Sequence, residues 1–396
     1  MAGLRYVGRF APSPTGPLHA GSLVAALASW LDARAWGNGR GAPWLVRIEA
    51  IAPPRCQSGA DQHILRQLAD CGLSPDEPPT WQSDHGFQHD MALRQLQLTQ
   101  LCYPCGCSRA DVARSLRERG RVHQRDREDL YPGTCRDGLR GKPARAWRLD
   151  AQKALLLTQE QQKNAVEPTP AAIFSIANAR LTWHDRRLGP QTQDLLAEAG
   201  DFVLRRTDGL WSYQLAVVED DARQGVTHVV RGEDLADNTP RQILLQAALG
   251  YAHPSYLHLP LVRAADGAKL SKQHGSPAIE TDRPEQALQA LDRAAAHLAL
   301  PLAFGSRAER LAVWVRAWRG LYNPGPWPTL ATPAAPRRLT LNTPAPSAAS
   351  CAAPAAPPAA RNARCASWRR ASCCPTRPAR WMSPPPLATR PQAACR

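Results

Sequence analysis

The sequence predicts an α/β fold in which a parallel sheet is covered by helices, and three observations predict it. Apolar positions switch between strand and helix spacing, so that strand, helix, strand and helix follow one another within the first 70 residues. A Pro- and Gly-rich loop separates the first strand from a long helix, as a strand-to-helix crossing requires. No apolar run approaches the ~18 residues of a membrane span. At 396 residues, 43% hydrophobic and 21% charged, the chain can bury a sizeable core, and the length predicts two or three domains.

Each element follows from its pattern. Arg5–Phe10 is a short strand with Tyr6, Val7 and Phe10 apolar, and the loop after it carries Pro12, Pro14, Gly16 and Pro17. His19–Trp36 sets Leu23, Leu27, Trp30 and Leu31 at the spacing of a one-faced helix. Trp44–Glu49 reads as a second strand and Ala60–Leu68 as a second helix. Asp90–Leu101 is helical in pattern. Cys102–Trp147 changes character, with clustered Cys and many Arg, and reads as an inserted module. Strand-like segments resume at Phe202–Leu204 and Val226–Val230. A helix at Arg241–Leu249, a Lys-rich loop at Lys269–Lys272 and terminal helices at Glu285–Leu300 and Glu309–Trp318 complete the body. There is no internal repeat.

The net charge of +15 is unevenly placed. Asn323–Arg396 contains ten Arg and no Lys, Asp or Glu, so these 74 residues carry +10 and Met1–Tyr322 only +5. The same tail holds 16 of the 37 Pro and five of the 11 Cys, a low-complexity composition that does not fold alone. It reads either as a cationic arm attracting RNA phosphates or as an out-of-frame extension of GC-rich codons, the second being preferred. Nothing at the N-terminus reads as a signal peptide, so a cytoplasmic location is expected. Cysteines are then metal ligands or spectators before they are disulfides.

Three motifs carry chemistry. Arg9–Ser22 spans the first strand-to-helix crossing, where backbone N–H groups and a positive helix end point at a bound anion. Gly16 and Gly21 allow close approach there, and His19 at the helix start can donate to a phosphate or simply cap the helix. Lys269-Leu-Ser-Lys272-Gln places two cations three residues apart between Gly267 and Gly275, able to close over a triphosphate, although such loops often only face water. Cys105-Gly-Cys107 with Tyr131-Pro-Gly-Thr-Cys135 offers three thiolates that, with one further ligand, complete a tetrahedral zinc site; a reduced spectator cluster is the plain alternative.

Taken together and in this order, the first two motifs resemble the ATP-binding pair of class I aminoacyl-tRNA synthetases, which implies a Rossmann-like catalytic domain. The Arg9–Ser22 block resembles the opening of the glutamyl-type members. Arg47-Ile-Glu49, Pro53-Pro-Arg55, Tyr213-Gln-Leu-Ala-Val-Val and Val229-Val-Arg231-Gly-Glu-Asp-Leu continue the likeness. It implies L-glutamate contacts from Arg9, Phe10, Ala11, Pro12, Ser13, Glu49, Tyr213 and Arg231. It also implies ATP contacts from His19, Gly21, Lys269 and Lys272. The physics agrees: Arg9 and Arg231 suit carboxylates, Tyr213 adds a hydroxyl, and Glu49 accepts from an ammonium. Tyr103-Pro-Cys-Gly-Cys-Ser-Arg followed by Tyr131-Pro-Gly-Thr-Cys-Arg resembles the glutamyl-Q tRNA(Asp) branch, implying one structural Zn²⁺ on Cys105, Cys107, Tyr131 and Cys135. Cys56, Cys71, Cys102 and the tail cysteines are then spectators. One departure stands out: Ala50-Ile-Ala52 precedes Pro-Pro-Arg where that family has Asp-x-Asp.

The resemblance covers about Leu4 to Trp318, interrupted around Gln152–Ile176, and implies a division of the chain. Residues 1–101 and 201–322 form two halves of the catalytic domain, 102–200 an inserted zinc- and acceptor-binding module, and 323–396 a tail. With only about 120 residues after Lys272, no helical anticodon-binding region is expected. The implied reaction joins glutamate to AMP without tRNA, His19 and Lys272 stabilising phosphate charge and Mg²⁺ arriving with ATP. It then transfers glutamate to queuosine in the anticodon of tRNA(Asp). A monomer without membrane contact is expected. Alternatives are a truncated glutamyl-tRNA synthetase charging tRNA(Glu), a non-catalytic RNA-binding paralogue, and a nucleotidyltransferase that would not need the glutamate set.

Overall fold

The computed structural model describes residues 6–37, 41–51, 56–120, 130–164, 174–262 and 277–323. These residues all belong to the chain's first unit, 1–337; the second unit, 338–396, lies outside the described residues, as do Pro53–Arg55, Lys269 and Lys272.

The body is a mixed sheet whose centre is parallel. Strands β1 (Gly8–Phe10), β2 (Trp44–Ile48), β3 (Thr80–Trp81), β10 (His228–Gly232) and β11 (Ser255–Leu259) lie in the order β3-β2-β1-β10-β11, all pairs parallel. Successive residues of these strands face opposite ways. Trp44, Val46 and Ile48 of β2 enter one apolar core with Val230, Leu257 and Leu259, while Leu45, Val229 and Tyr256 enter another. Helices α1 (Ala20–Ala35), α2 (Ala60–Asp70), α8 (Pro284–His297) and α9 (Arg307–Tyr322) contribute to the first core. Helices α3 (Gly86–Leu98), α5 (Ala151–Lys163), α6 (Tyr213–Arg223) and α7 (Thr239–Leu249) contribute to the second. A parallel sheet buried on both faces by crossover helices is the arrangement the alternating pattern predicts.

Two segments fall elsewhere than the sequence suggests. Phe202–Leu204 does not extend the parallel sheet: β9 (Val203–Arg205) pairs antiparallel with β5 (Ala146–Leu149), which pairs with β4 (Cys102–Cys105) in a separate three-stranded sheet. Conversely β6 (Phe174–Ala177), β7 (Arg180–Asp185) and β8 (Gly189–Asp194) form an antiparallel meander whose β7 runs parallel beside β11. The two sheets therefore cut across the 102–200 boundary. Helix α4 (Arg109–Glu118) starts on a capping box, with Ser108 and Asp111 exchanging side-chain and backbone hydrogen bonds.

A buried acid clamps the body. Asp32 on α1, fully enclosed, accepts from Tyr6 Oη (2.7 Å), both Nη atoms of Arg186 after β7 (2.7 and 2.6 Å) and Trp318 Nε1 on α9 (2.8 Å). Burial opposes its ionisation, but Arg186 outweighs that and holds the carboxyl down at about 2.

Candidate functional site

The C-terminal ends of β1 and β10 and the start of α1 open onto one cavity of about 540 Å³. Its lining includes Arg9, Phe10, Ala11, Pro12, Ser13, His19, Gly21, Glu49, Tyr213 and Arg231, so ten of the twelve residues expected to hold glutamate or ATP converge from five separate stretches of chain. The other two, Lys269 and Lys272, lie outside the described residues. On either side of their segment, described residues reach this site: Val262 lines the cavity, and Ala278 pairs with His19 as an isolated bridge.

His19 is the N-cap of α1, with Nδ1 accepting from the Ser22 N–H at 3.3 Å. A neutral ring that accepts at Nδ1 carries its proton on Nε2, so capping and donating are compatible roles. Gly21 leaves room for this arrangement, because a Cβ there would sit 3.1 Å from His19 Cε1 and 3.3 Å from Nδ1 and the ring would have to shift by a few tenths of an ångström. Backbone of Gly21 and Ser22 at the helix start gives the cavity wall a partial positive charge.

Beneath the cavity runs a buried ionic network. Arg9 Nε donates to both oxygens of Asp221, at 3.2 and 3.4 Å. Arg47, wholly enclosed, reaches Asp221 (2.8 Å), Glu49 (3.3 Å) and, more distantly, Asp220 (3.8 Å). Asp220 in turn accepts from Gln82 at 2.7 Å and contacts His85 at 2.7 Å and His89 at 3.3 Å. Burial disfavours the ionised Asp221, yet Arg9 and Arg47 outweigh it and keep the carboxyl below its ordinary range. For Glu49 burial wins over Arg47 and Arg9, and its carboxyl is raised, a state that an incoming ammonium would reverse. Burial also raises Tyr213, which stays a neutral hydroxyl at the first turn of α6.

Arg231 is different. Its Nη1 donates to Gln242 (2.8 Å), Nη2 to Thr239 (2.9 Å) and to the Leu235 carbonyl (3.3 Å), and Nε to His258 (3.1 Å). Of the buried arginines that line or underlie this cavity, Arg9 and Arg47 touch acids whereas Arg231 meets only neutral acceptors. Four of its five N–H protons are thereby engaged, so the fork is not open for a bidentate carboxylate, and one Nη1 proton remains.

Sequence reasoning missed Asp220, Asp221 and His258. The signal for the acids was an adjacent pair seven and eight residues beyond Tyr213, on the same apolar helix. His258 carried no local signal.

The second cluster is in the small sheet. Cys105, Cys107 and Cys135 are buried, with their sulfurs all within 4.8 Å of one another. Cys107 and Cys135 Sγ are 3.6 Å apart, and Tyr131 Oη lies 3.3 Å from Cys105 Sγ and 3.5 Å from Cys107 Sγ. Tetrahedral zinc at Zn–S of about 2.3 Å and Zn–O of about 2.0 Å needs edges of about 3.8 and 3.5 Å, which these spacings fit. The Cys135 N–H donates to Tyr131 Oη at 3.0 Å and the Arg148 guanidinium lies 3.9 Å over the Tyr131 ring, while burial and the contacts with the three cysteines push the phenol well above its ordinary range. Cys71 and Cys102 stand apart, their thiols pushed up to about 12 by burial.

The family model "tRNA synthetases class I (E and Q), catalytic domain" matches residues 6–289. The chain is 55% identical over 314 residues to a glutamyl-Q tRNA(Asp) synthetase of Albidiferax ferrireducens, covering 79% of this chain and 98% of that one. It is 52% identical over 319 residues to a glutamyl-Q tRNA(Asp) synthetase of Leptothrix cholodnii, covering 78% and 97%. Among solved structures it is similar to a glutamate tRNA ligase of Elizabethkingia meningosepticum in complex with its amino acid, with TM-score 0.54 and 25% identity. That match covers 68% of this chain and 52% of the other, so the chain spans about half the length of that solved structure.

Proposed function

The chain belongs to the class I (E and Q) tRNA synthetases and, within them, to the glutamyl-Q tRNA(Asp) synthetases; from that premise we propose that it activates L-glutamate with ATP and transfers it to queuosine in the anticodon of tRNA(Asp). The observation that carries the amino-acid half is Arg231. A buried cation held by neutral acceptors alone has only part of its desolvation cost offset until an anion arrives. It faces a cavity shared with Arg9, Glu49 and Tyr213, a charge set that suits a dicarboxylate with an ammonium.

In the first step a carboxylate oxygen of glutamate attacks the α-phosphorus of ATP. The new O–P bond gives glutamyl-adenylate, and the broken P–O bond releases pyrophosphate. No enzyme nucleophile takes part, so rate comes from alignment and charge neutralisation. Glu49 would receive the ammonium, Arg9 and Arg231 the carboxylates, and Tyr213 would donate its hydroxyl, with Phe10, Ala11, Pro12 and Ser13 walling the site. His19 Nε2–H, the α1 start at Gly21, and Lys269 and Lys272 would meet the phosphates, with Mg²⁺ carried by ATP. In the second step a queuosine hydroxyl attacks the activated carbonyl and AMP leaves.

Cys105, Cys107, Tyr131 and Cys135 would hold one Zn²⁺. When bound, the ion supplies a structural cross-link between the end of β4 and the 131–135 turn. This small-sheet module, in the region assigned to tRNA contact, needs no part in the chemistry.

Glutamate-dependent pyrophosphate exchange in the absence of tRNA tests the first step; its absence from folded protein would sink the adenylation reading. Labelled glutamate should reach queuosine-bearing tRNA(Asp) and not its queuosine-free form. Equal charging of tRNA(Glu) would instead identify a truncated glutamyl-tRNA synthetase.

A further inference from the structure

Arg231 is held by a side chain that is itself held. His258 on β11 is wholly buried, and its Nε2 accepts from Arg231 Nε at 3.1 Å. Its Nδ1 lies 2.7 Å from Asp185 Oδ2, at the end of β7 on the adjacent strand. Asp185, also wholly buried, is saturated by backbone: it accepts from the N–H groups of Arg187 (3.0 Å), Leu188 (2.8 Å) and His258 (3.1 Å). A carboxylate so held is rigid and ionised. It requires the proton of His258 on Nδ1, and this leaves the Nε2 lone pair for Arg231, with the Thr239 hydroxyl a longer neighbour at 3.3 Å. Burial and the neighbouring Arg231 charge keep the ring neutral against the pull of Asp185.

The consequence is directional. A charged imidazole at this point would put an N–H against an N–H, and an apolar side chain would leave Arg231 Nε–H buried without an acceptor. A carboxylate placed at His258 would neutralise Arg231 and remove its reason to bind an anion. A neutral acceptor fixes the guanidinium and leaves its charge unspent. We propose that the Asp185–His258 pair is the positioning device that presents Arg231, still uncompensated, to a carboxylate of the amino acid. The inference rests on the glutamate reading above and adds two residues to it, one of them from a strand outside the expected catalytic halves.

The test uses the full chain and measures KM for glutamate and for ATP by pyrophosphate exchange, with L-glutamate binding followed calorimetrically. His258→Leu should raise KM for glutamate about 10- to 100-fold and leave KM for ATP within twofold. His258→Gln, which restores an acceptor near the Nε2 position, should recover most of that loss, whereas His258→Asn, with its acceptor nearer Nδ1, should not. If the Leu variant does not fold, the Gln and Asn pair still decides. Equal KM values for Gln and Asn, or parallel rises in the glutamate and ATP constants, would overturn the positioning role. Failure of the wild-type chain to bind glutamate at all would instead remove the reading on which it rests. Loss of binding in Arg231→Ala alongside unaffected His258 variants would keep that reading and refute this one.

Discussion

Replacing Asp32 by Asn removes a buried charge and nearly nothing else. The carboxylate is fully enclosed and paired with both Nη atoms of Arg186, whose side chain is itself only 2% exposed. Its carboxyl titrates at about 2 when folded against 3.8 for the ordinary group, a difference worth roughly 2 kcal/mol at 1.36 kcal/mol per pKa unit. Taking the charge of Asp32 away from the buried Arg186 sets an upper range of about 3–5 kcal/mol. Asp32→Asn should therefore cost about 2–4 kcal/mol near neutral pH. Because the folded value is depressed, the stabilisation is fully present above about pH 5 and is lost as pH falls toward 2. The assay is urea unfolding of both proteins at several pH values between 7 and about 2.5, read as the difference in unfolding free energy. That difference should be constant down to about pH 5 and then shrink. A cost below about 1 kcal/mol at pH 7, or a gap that does not shrink at low pH, would refute the reasoning. Because Asp32 ties α1 to α9 and to the residue after β7, its loss should also loosen the helix whose start forms the phosphate side of the cavity.

Other outcomes follow from the site. Asp221→Asn, which takes the charge partner from Arg9 Nε, should raise KM for glutamate about tenfold or more with little effect on ATP, measured by pyrophosphate exchange. Gly21→Ala favours the helix by up to about 1 kcal/mol yet pushes on the His19 ring, so activity should fall about tenfold while the melting temperature does not. The full chain should contain one zinc by metal analysis. Cys135→Ser should lower that content, whereas Cys56→Ser, outside the cluster, should leave it at one.

Much of the site was legible because its parts are local. A strand, a Pro- and Gly-rich loop and a helix in succession announce an anion-facing crossing, and His19 and Gly21 occur within it. The pairs Cys105–Cys107 and Tyr131–Cys135 announce a cluster by spacing. Six helices were legible to within about four residues, α3 running earlier than its apolar pattern suggests, from Gly86 to Leu98, whereas α4, α5 and α6 were not read from the sequence. The β6–β8 meander was not legible: its segments are short, polar on one side, and Gly189–Asp194 has no buried residue to betray it. Phe202–Leu204 reads like a parallel strand because a three-residue apolar segment carries no mark of its partner.

The sequence by itself determined that this is an α/β chain, where its strand-to-helix crossing falls, and which residue types can meet a dicarboxylate, a triphosphate and a metal. Only the tertiary structure decided which of those charges are spent. Arg9 finds Asp221 from 212 residues away, and Arg231 finds His258, itself oriented by Asp185 on the neighbouring strand. A parallel sheet joins strands through long crossovers, so the partners of a buried cation come from distant stretches of chain that local pattern cannot link. In a low-dielectric interior those partners decide how a buried arginine is held and how much of its charge is left for an incoming anion.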